Sequence, residues 1–467
     1  MKYISTRGQA PALPFSDVLL AGLARDGGLY VPDAWPRFST ADIVAMKDLP
    51  YDQLAVRVLL PFVGGCLSEG ALADLTARTY ARFDEGVTRL KEIGPNLHLL
   101  ELFHGPTLAF KDYAMQFLGE LFDHVLTKRG ERVTIIGATS GDTGAAAVDA
   151  LADRQAIDIF MLHPKGRVSE VQRRQMTTQT AANVHNIAIE GTFDDCQDLV
   201  KAMFNDLAFR DRHNLSAVNS INWARVAAQI VYYFWAAVRL GSPERPVSFA
   251  VPTGNFGNVF AGYGAMVSGL PVKQLIIGSN ANDILPRFLE TGTMSMAGVT
   301  PTISPSMDIQ VSSNFERLLF ELERRDGHVV AEILQAFRAT GSFSLSDERW
   351  AATRAIFDGL RLSDDETKAL IGRIFKETGE VLDPHSAIGV AAGLAKRQGE
   401  ETPVICLATA HPAKFPDAVE EACGRRPALP ARMSDLYDRA ERYDTLPNNL
   451  DAVMSHVNAH AKGAATA

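Results

Sequence analysis

The sequence predicts an α/β fold: open parallel sheet with helices on both faces. Three observations carry this. Short apolar, often β-branched runs occur at 132–137, 157–162, 184–189, 247–251, 274–278 and 404–408. Helical segments alternate with them, which is the pattern of a parallel sheet covered on both sides. Polar, glycine-bearing loops at 138–144 and 253–258 follow two of the runs and open helices, and ligands bind at such strand ends.

Taken in order, the first section runs to residue 97. It has turn signals at Asp26-Gly27-Gly28 and Val31-Pro32-Asp33, then helical patterning over 40–81 broken at Leu49-Pro50 and Leu60-Pro61. It holds no catalytic constellation and reads as a packing or interface domain. Ala114, Leu118, Leu121, Phe122 and Val125 recur at helical spacing from 111 to 129, and Gly130 stops that helix. Helices are expected at 145–153, 168–179, 193–204 (capped by Thr192), 223–240 and 259–267. Residues 291–379 break the rhythm with Ser-Pro-Met loops and charged helices, and read as an insertion before the sheet resumes. A helical tail follows from 431, and the last six residues, 462–467, are expected to be disordered.

The chain has 467 residues, 46% hydrophobic and 22% charged, ordinary for a globular protein with a large core. A net charge of -9 without a basic stripe argues against nucleic acid as a partner. The four cysteines lie far apart, in no metal or redox spacing, and read as reduced thiols of a cytoplasmic protein. The first eight residues lack the apolar centre of a leader, and no apolar run is long enough to span a bilayer. No metal site is expected.

The chemistry concentrates in five segments. Lys111 stands between the apolar run Leu108-Ala109-Phe110 and a helix start, with no counter-charge in view except Asp112, expected to cap the turn. Such a desolvated amine should lose basicity and become a nucleophile suited to a Schiff base, although a lysine at a helix start more often snorkels to water. The loop Ala138-Thr139-Ser140-Gly141-Asp142-Thr143-Gly144 offers three hydroxyls at a helix start, and reads equally as an anion site or a capped turn. It is neither a Walker loop nor a nucleophile elbow. In Thr253-Gly254-Asn255-Phe256-Gly257-Asn258, two glycines and two asparagines permit left-handed angles that converge N–H groups on one compact phosphate. Asn219, Ser220 and Arg225 bring donors to the start of the long apolar helix. Thr409 ends the 404–408 strand, where its hydroxyl can meet an aromatic nitrogen. His411 and Lys414 beyond it read as structural or anion-facing.

Together these segments resemble the threonine synthase family, within the second fold type of pyridoxal phosphate (PLP) enzymes. The likeness rests on 3–8, 26–32, 110–112, 139–144, 219–225, 254–258, 383–387 and 409–415, and so covers nearly the whole chain. It implies two parallel-sheet lobes forming a catalytic core over 98–430, an N-terminal domain over 1–97, a helical insertion at about 291–379 and a tail over 431–467. It further implies that Lys111 forms the Schiff base with PLP and that Gly254, Asn255, Phe256, Gly257 and Asn258 hold the cofactor phosphate. Thr409 would bond the pyridine nitrogen, and Asp142 would lie near the ring's 3-hydroxyl. Thr139, Ser140 and Thr143 would share the substrate's carboxylate and phosphate, with Asn219, Ser220 and Arg225 completing the phosphate pocket. The implied reaction converts O-phospho-L-homoserine and water to L-threonine and phosphate in a cytoplasmic monomer or homodimer. The runner-up is a phospholyase or serine/threonine dehydratase releasing a keto acid. The context of Lys111 differs from the Ser-x-Lys-x-Arg run associated with dehydratases. A nicotinamide dehydrogenase is excluded by the missing fingerprint loop.

Overall fold

The computed structural model describes residues 1–84 and 86–462. It divides into two compact units. The first comprises Met1–Val18, Leu23–Phe110 and Ser220–Pro427; the second comprises Leu19–Gly22, Lys111–Asn219 and the chain from Ala428 onward.

The first unit is built on a six-stranded sheet ordered Phe357–Arg361, Val272–Ser279, Val247–Pro252, Val404–Ala408, Leu97–Glu101 and Arg89–Gly94. Only the last pair is antiparallel. Register places Ile276, Ala250, Cys406 and Leu99 in one row. That row forms the core against Leu370, Ile371 and Ile374 of the helix Asp364–Thr378 and Val390 of the helix Pro384–Lys396. Elsewhere in the unit the N-terminal section contributes Tyr3, Trp35 and Phe62 to an aromatic cluster around Trp223, with ring centroids 5.7–6.0 Å from it.

The second unit carries five parallel strands ordered Asp444–Pro447, Val184–Glu190, Ile157–Pro164, Val133–Ala138 and Leu215–Ser216. Every residue of Ile157–Pro164 is buried, so both faces of that central strand are covered. On one face Phe160, Leu162, Ile187 and Ile189 meet Leu199 and Met203 of the helix Phe193–Asn205 and Val453 and Val457 of the helix Leu450–His460.

Several expectations change. Pro61 does not break its helix; Tyr51–Val63 runs through it and stops at Gly64. The buried face of Leu54, Ala55, Val58, Leu59, Phe62 and Val63 continues past the proline, so packing outweighs the lost backbone bond. The presumed insertion supplies a strand, Phe357–Arg361, to the sheet edge. Only alternate residues of it are buried, so no apolar run marks it. The tail likewise holds a strand, Asp444–Pro447, besides its helix. Of the end expected to be disordered, Lys462 is ordered enough to donate its N–H to Asp158 Oδ2 at 3.0 Å; residues 463–467 lie outside the described residues.

The helix Pro384–Lys396 lies very close to its sheet through glycines. A Cβ on Gly389 would stand 2.9 Å from Pro252 Cδ, and one on Gly393 would stand 2.8 Å from Cys406 Sγ. Gly389→Ala is therefore expected to destabilise the protein by about 1–3 kcal/mol in spite of alanine's better helix propensity. Gly70→Ala, at a helical position with nothing within 4 Å, should stabilise by up to about 1 kcal/mol. Denaturant melts of both variants check the opposite signs.

Candidate active site

In the second unit Lys111 is the first residue of the helix Lys111–Arg129 and is only 9% exposed. Its Nζ lies 3.0 Å from Asp142 Oδ2. The expectation that this amine has no counter-charge is thus overturned. Asp112 sits inside the first turn, fully buried, and Asp142 supplies the carboxylate. Asp142 starts the helix Asp142–Leu151, and its Oδ1 accepts a 2.8 Å bond from Gln172 Nε2. Gln172 Oε1 accepts from Ser169 Oγ at 2.8 Å. The glycine between the two ligand-loop hydroxyls and Asp142 is required: Gly141 has φ 146°, and a Cβ there would stand 2.4 Å from Gln172 Oε1. Thr139 is buried, and its Oγ1 accepts from the N–H groups of Gly141 and Gly144 at 3.0 and 2.9 Å. That oxygen closes the loop and leaves its own proton to donate. Ser140 and Thr143 flank it half-buried, and Asn219, the last residue before Ser220, is exposed.

In the first unit the strand Val247–Pro252 feeds the loop 253–256 and the helix Gly257–Val267. The carbonyl of Gly254 accepts from Ser312 Oγ at 2.5 Å, and that of Asn255 accepts from Asn314 N–H and Nδ2 at 3.1 and 3.0 Å. With the carbonyls tied back, the amides of the first helical turn, which have no intrahelical acceptor, are the groups suited to an anion. The left-handed residue is Phe256, φ 63°, not a glycine or asparagine of the loop. Its ring packs at 5.4 Å from Phe315 and 5.7 Å from Phe357, which offsets the roughly 1–2 kcal/mol cost of that conformation. Asn258 Oδ1 accepts from the hydroxyls of Tyr232 and Tyr233 at 2.6 and 2.9 Å, leaving its buried Nδ2 without a partner among the described residues.

Thr409 is 5% exposed. Its N–H bonds Ser386 Oγ at 3.0 Å and its carbonyl accepts from Phe110 N–H at 2.9 Å. No described residue engages its hydroxyl. His411 Nδ1 accepts the N–H of Ala413 at 3.1 Å, and the fully buried Lys414 donates to the Thr107 carbonyl at 2.8 Å. Both are structural, fastening the segment that leads into Lys111. Arg225 lies in the first turn of the helix Trp223–Arg239, whose cap is Asn222. Burial pushes the Arg225 guanidinium down to about 10, still cationic at neutral pH.

Sequence reading missed Gln172, Tyr232, Tyr233, Asn314 and Arg317. Arg317 is fully buried and donates to the carbonyls of Tyr30 at 3.0 Å and Ile221 at 2.6 Å, and to Asn314 Oδ1. It thereby joins the helix start of Arg225 to the residue that holds the Asn255 carbonyl. The paired tyrosines alone carried a signal, since hydroxyls in an apolar run need partners.

In the second unit the buried lysine suits a Schiff base with an aldehyde; in the first, taken by itself, a helix-start loop with an unpartnered buried amide and an unengaged hydroxyl at a strand end suit a phosphate and an aromatic nitrogen. A family model described as pyridoxal-phosphate dependent enzyme matches residues 83–341, and the chain is a PLP-dependent enzyme of fold type II. Family models for the threonine synthase N terminus and the threonine synthase C-terminal region match 2–80 and 386–457. The chain is 56% identical over 462 residues to the threonine synthase of Pseudomonas aeruginosa, covering 98% of each. It resembles the crystal structure of PLP-bound threonine synthase from Brucella melitensis with a TM-score of 0.97 and 54% identity, covering 99% of this chain and 100% of that one. The yeast threonine synthase structure gives 0.93 at 37% identity, covering 98% of each chain. The chain belongs to the threonine synthase family.

Gly141→Ala should displace Gln172 and, through it, Asp142, lowering activity by at least about 100-fold while the far-ultraviolet signature of the fold persists. Circular dichroism with activity assay checks this. A second expectation concerns pH. Burial lowers His411 from 6.5 to about 4, so the unfolded chain takes up its proton below pH 6.5 while the native protein resists until about pH 4. Stability is therefore complete above pH 6.5 and falls through that window, by about 3 kcal/mol from this residue. His163 and His185 are lowered likewise. In urea melts at stepped pH, His411→Asn should remove part of the acid slope and leave the rest.

Proposed function

We propose that the residues described above divide the family's reaction, O-phospho-L-homoserine plus water to L-threonine plus phosphate, in the following way. When bound, PLP supplies an aldehyde for amines and a ring that spreads the charge left at the substrate's Cα. Lys111 is the attachment point and, once released, the base whose Nζ removes the Cα proton. Asp142 would lie near the ring's 3-hydroxyl, and its contact with Nζ keeps the lysine aimed. Gly254, Asn255, Phe256, Gly257 and Asn258 hold the cofactor phosphate through helix-start amides and Asn258 Nδ2. Thr409 would offer the ring nitrogen a hydroxyl rather than a carboxylate, a partner that does not call for a protonated nitrogen and would keep the electron sink mild.

Thr139, Ser140 and Thr143 bind the substrate carboxylate and share its phosphate. Asn219, Ser220 and Arg225 complete the phosphate pocket, and their donors stabilise the phosphate as it leaves Cγ. Loss of a Cβ proton accompanies departure of the phosphate, a proton returns to Cγ, and water then adds at Cβ. No described helix is long and apolar enough to cross a membrane. A cytoplasmic monomer or homodimer acting on this small molecule, without nucleic acid or membrane, accords with that and with the net charge of -9.

The observation that carries the reading is the buried Lys111 paired at 3.0 Å with Asp142 inside the family's motif. Borohydride reduction and peptide mapping should place the pyridoxyl label on Lys111, and Lys111→Ala should abolish the visible absorption band. Arg225→Ala should raise KM for O-phospho-L-homoserine by about 10–100-fold, the range for a lost charge-assisted contact, and leave PLP affinity nearly unchanged. Equal loss of both would move Arg225 out of the substrate pocket. Release of a keto acid in place of threonine would favour the phospholyase alternative.

A further inference from the structure

The segment Asp383-Pro384-His385-Ser386 has no part in the roles above, yet it is among the most deeply buried polar stretches of the first unit. Asp383, Ser386 and His385 are 0, 1 and 4% exposed. Asp383 caps the helix Pro384–Lys396, accepting the N–H groups of His385 and Ser386 at 2.9 and 3.2 Å. A cap needs no more than that. Here two side chains are added, and each reaches out of the helix. Ser386 Oγ donates to Asp383 Oδ2 and accepts the N–H of Thr409 at 3.0 Å. The His385 ring meets Asp383 Oδ1 through Nδ1 at 2.9 Å and accepts Ser306 N–H at Nε2, 3.3 Å away. The donor at Ser306 fixes the tautomer: Nε2 accepts, so Nδ1 carries the proton to Asp383.

The two far ends lead to different parts of the PLP site. Thr409 carries the hydroxyl assigned to the ring nitrogen. The Ser306–Met307 backbone walls the phosphate loop, since a Cβ on Gly254 would stand 3.0 Å from Ser306 O and 3.1 Å from Met307 Cα. The same helix presses through Gly389 and Gly393 on Pro252 and Cys406, within the two strands that deliver these loops.

We propose that Asp383, His385 and Ser386 are positioning residues that hold the ring-nitrogen contact and the wall of the phosphate loop in one fixed geometry. This rests on the assignment of Thr409 and residues 254–258 to PLP. The test titrates apoenzyme with PLP, reading affinity and the visible absorption maximum on folded protein, with the apoenzyme's melting temperature measured alongside. Ser386→Ala is expected to raise the Kd for PLP about ten-fold, the cost of orphaning one buried donor, and to shift the absorption maximum. Ser386→Thr, which keeps the hydroxyl, should restore both to near wild type. A purely structural cap predicts a lower melting temperature with Kd and maximum unchanged, and that result overturns the proposal. Should Ser386→Ala fail to fold, Asp383→Asn is read by the same two quantities, and unchanged values there overturn it equally. Borohydride labelling of the wild type separates the two layers. A label absent from Lys111 defeats the underlying reading. A label on Lys111, with Kd and maximum unmoved in the variants, defeats only the positioning role.

Discussion

The second unit depends on one buried ion pair. Taking an ammonium and a carboxylate out of water costs several kcal/mol per ion, and their attraction offsets this only when the remaining lone pairs and protons are satisfied. Lys111 adds a further burden because it begins a helix, where the macrodipole disfavours positive charge. Asp142 begins a helix too, and there the dipole favours its carboxylate. The pair therefore joins an uncomfortable cation to a well-stabilised anion. Gln172 takes the second oxygen of Asp142, Gly141 makes room for Gln172, and Thr139 fastens the turn around Gly141. Each is a condition for the next, and the outcome is an amine held in one place yet not buried so comfortably that it cannot leave its partner.

On the proposed assignment, helix starts supply the working groups of each unit. Lys111, Asp142, Arg225 and Asn258 each lie in the first turn of a helix, where backbone donors lack partners. A chemistry that handles two phosphates and a carboxylate gains from such donors, since they are fixed before any ligand arrives and need no reorganisation. The cost of fixing them appears in the carbonyls of Gly254 and Asn255, which are tied down by Ser312 and Asn314, and in Phe256, held in a conformation that side chains avoid.

The legible part of this protein was local. Strands such as Val133–Ala138 and Val404–Ala408 announced themselves because most of their residues are buried and the runs are mainly apolar. Loops that open helices announced themselves by glycine and hydroxyl content. The illegible part was pairing across sequence. Nothing near Lys111 indicates that its partner stands 31 residues on, and nothing in Phe315–Leu322, a charged helix by composition, indicates that Arg317 is fully buried. Edge strands escaped for a related reason. Phe357–Arg361 buries only alternate residues, a pattern too short to separate from a loop. Pro61 misled because helix rules weigh the lost bond and cannot weigh the buried face on both sides of it.

The N-terminal section reads as mere packing until its contacts are followed. Glu316 and Arg317 are neighbours on one short helix, yet each serves the N-terminal section by a different route. Glu316 takes Thr6 Oγ1 at 2.6 Å and a bidentate Arg7 at 3.1 and 3.0 Å. Arg317 takes the Tyr30 carbonyl, then reaches Ile221 and Asn314. Among the described residues Arg317 donates only to neutral oxygens, and burial lowers it to about 9, a shift the nearby Glu316 carboxylate partly opposes. Such a cation is costly to bury unless its donors are all used. Spending them on Tyr30, Ile221 and Asn314 makes the cost serve a purpose, since the last two adjoin the helix start of Arg225 and the loop at Asn255. Residues 3–8 and 26–32 hold none of the groups assigned to the reaction. Through Arg317 they are tied to the two helix starts assigned to anion binding, so on that assignment a section without catalytic side chains helps to place them.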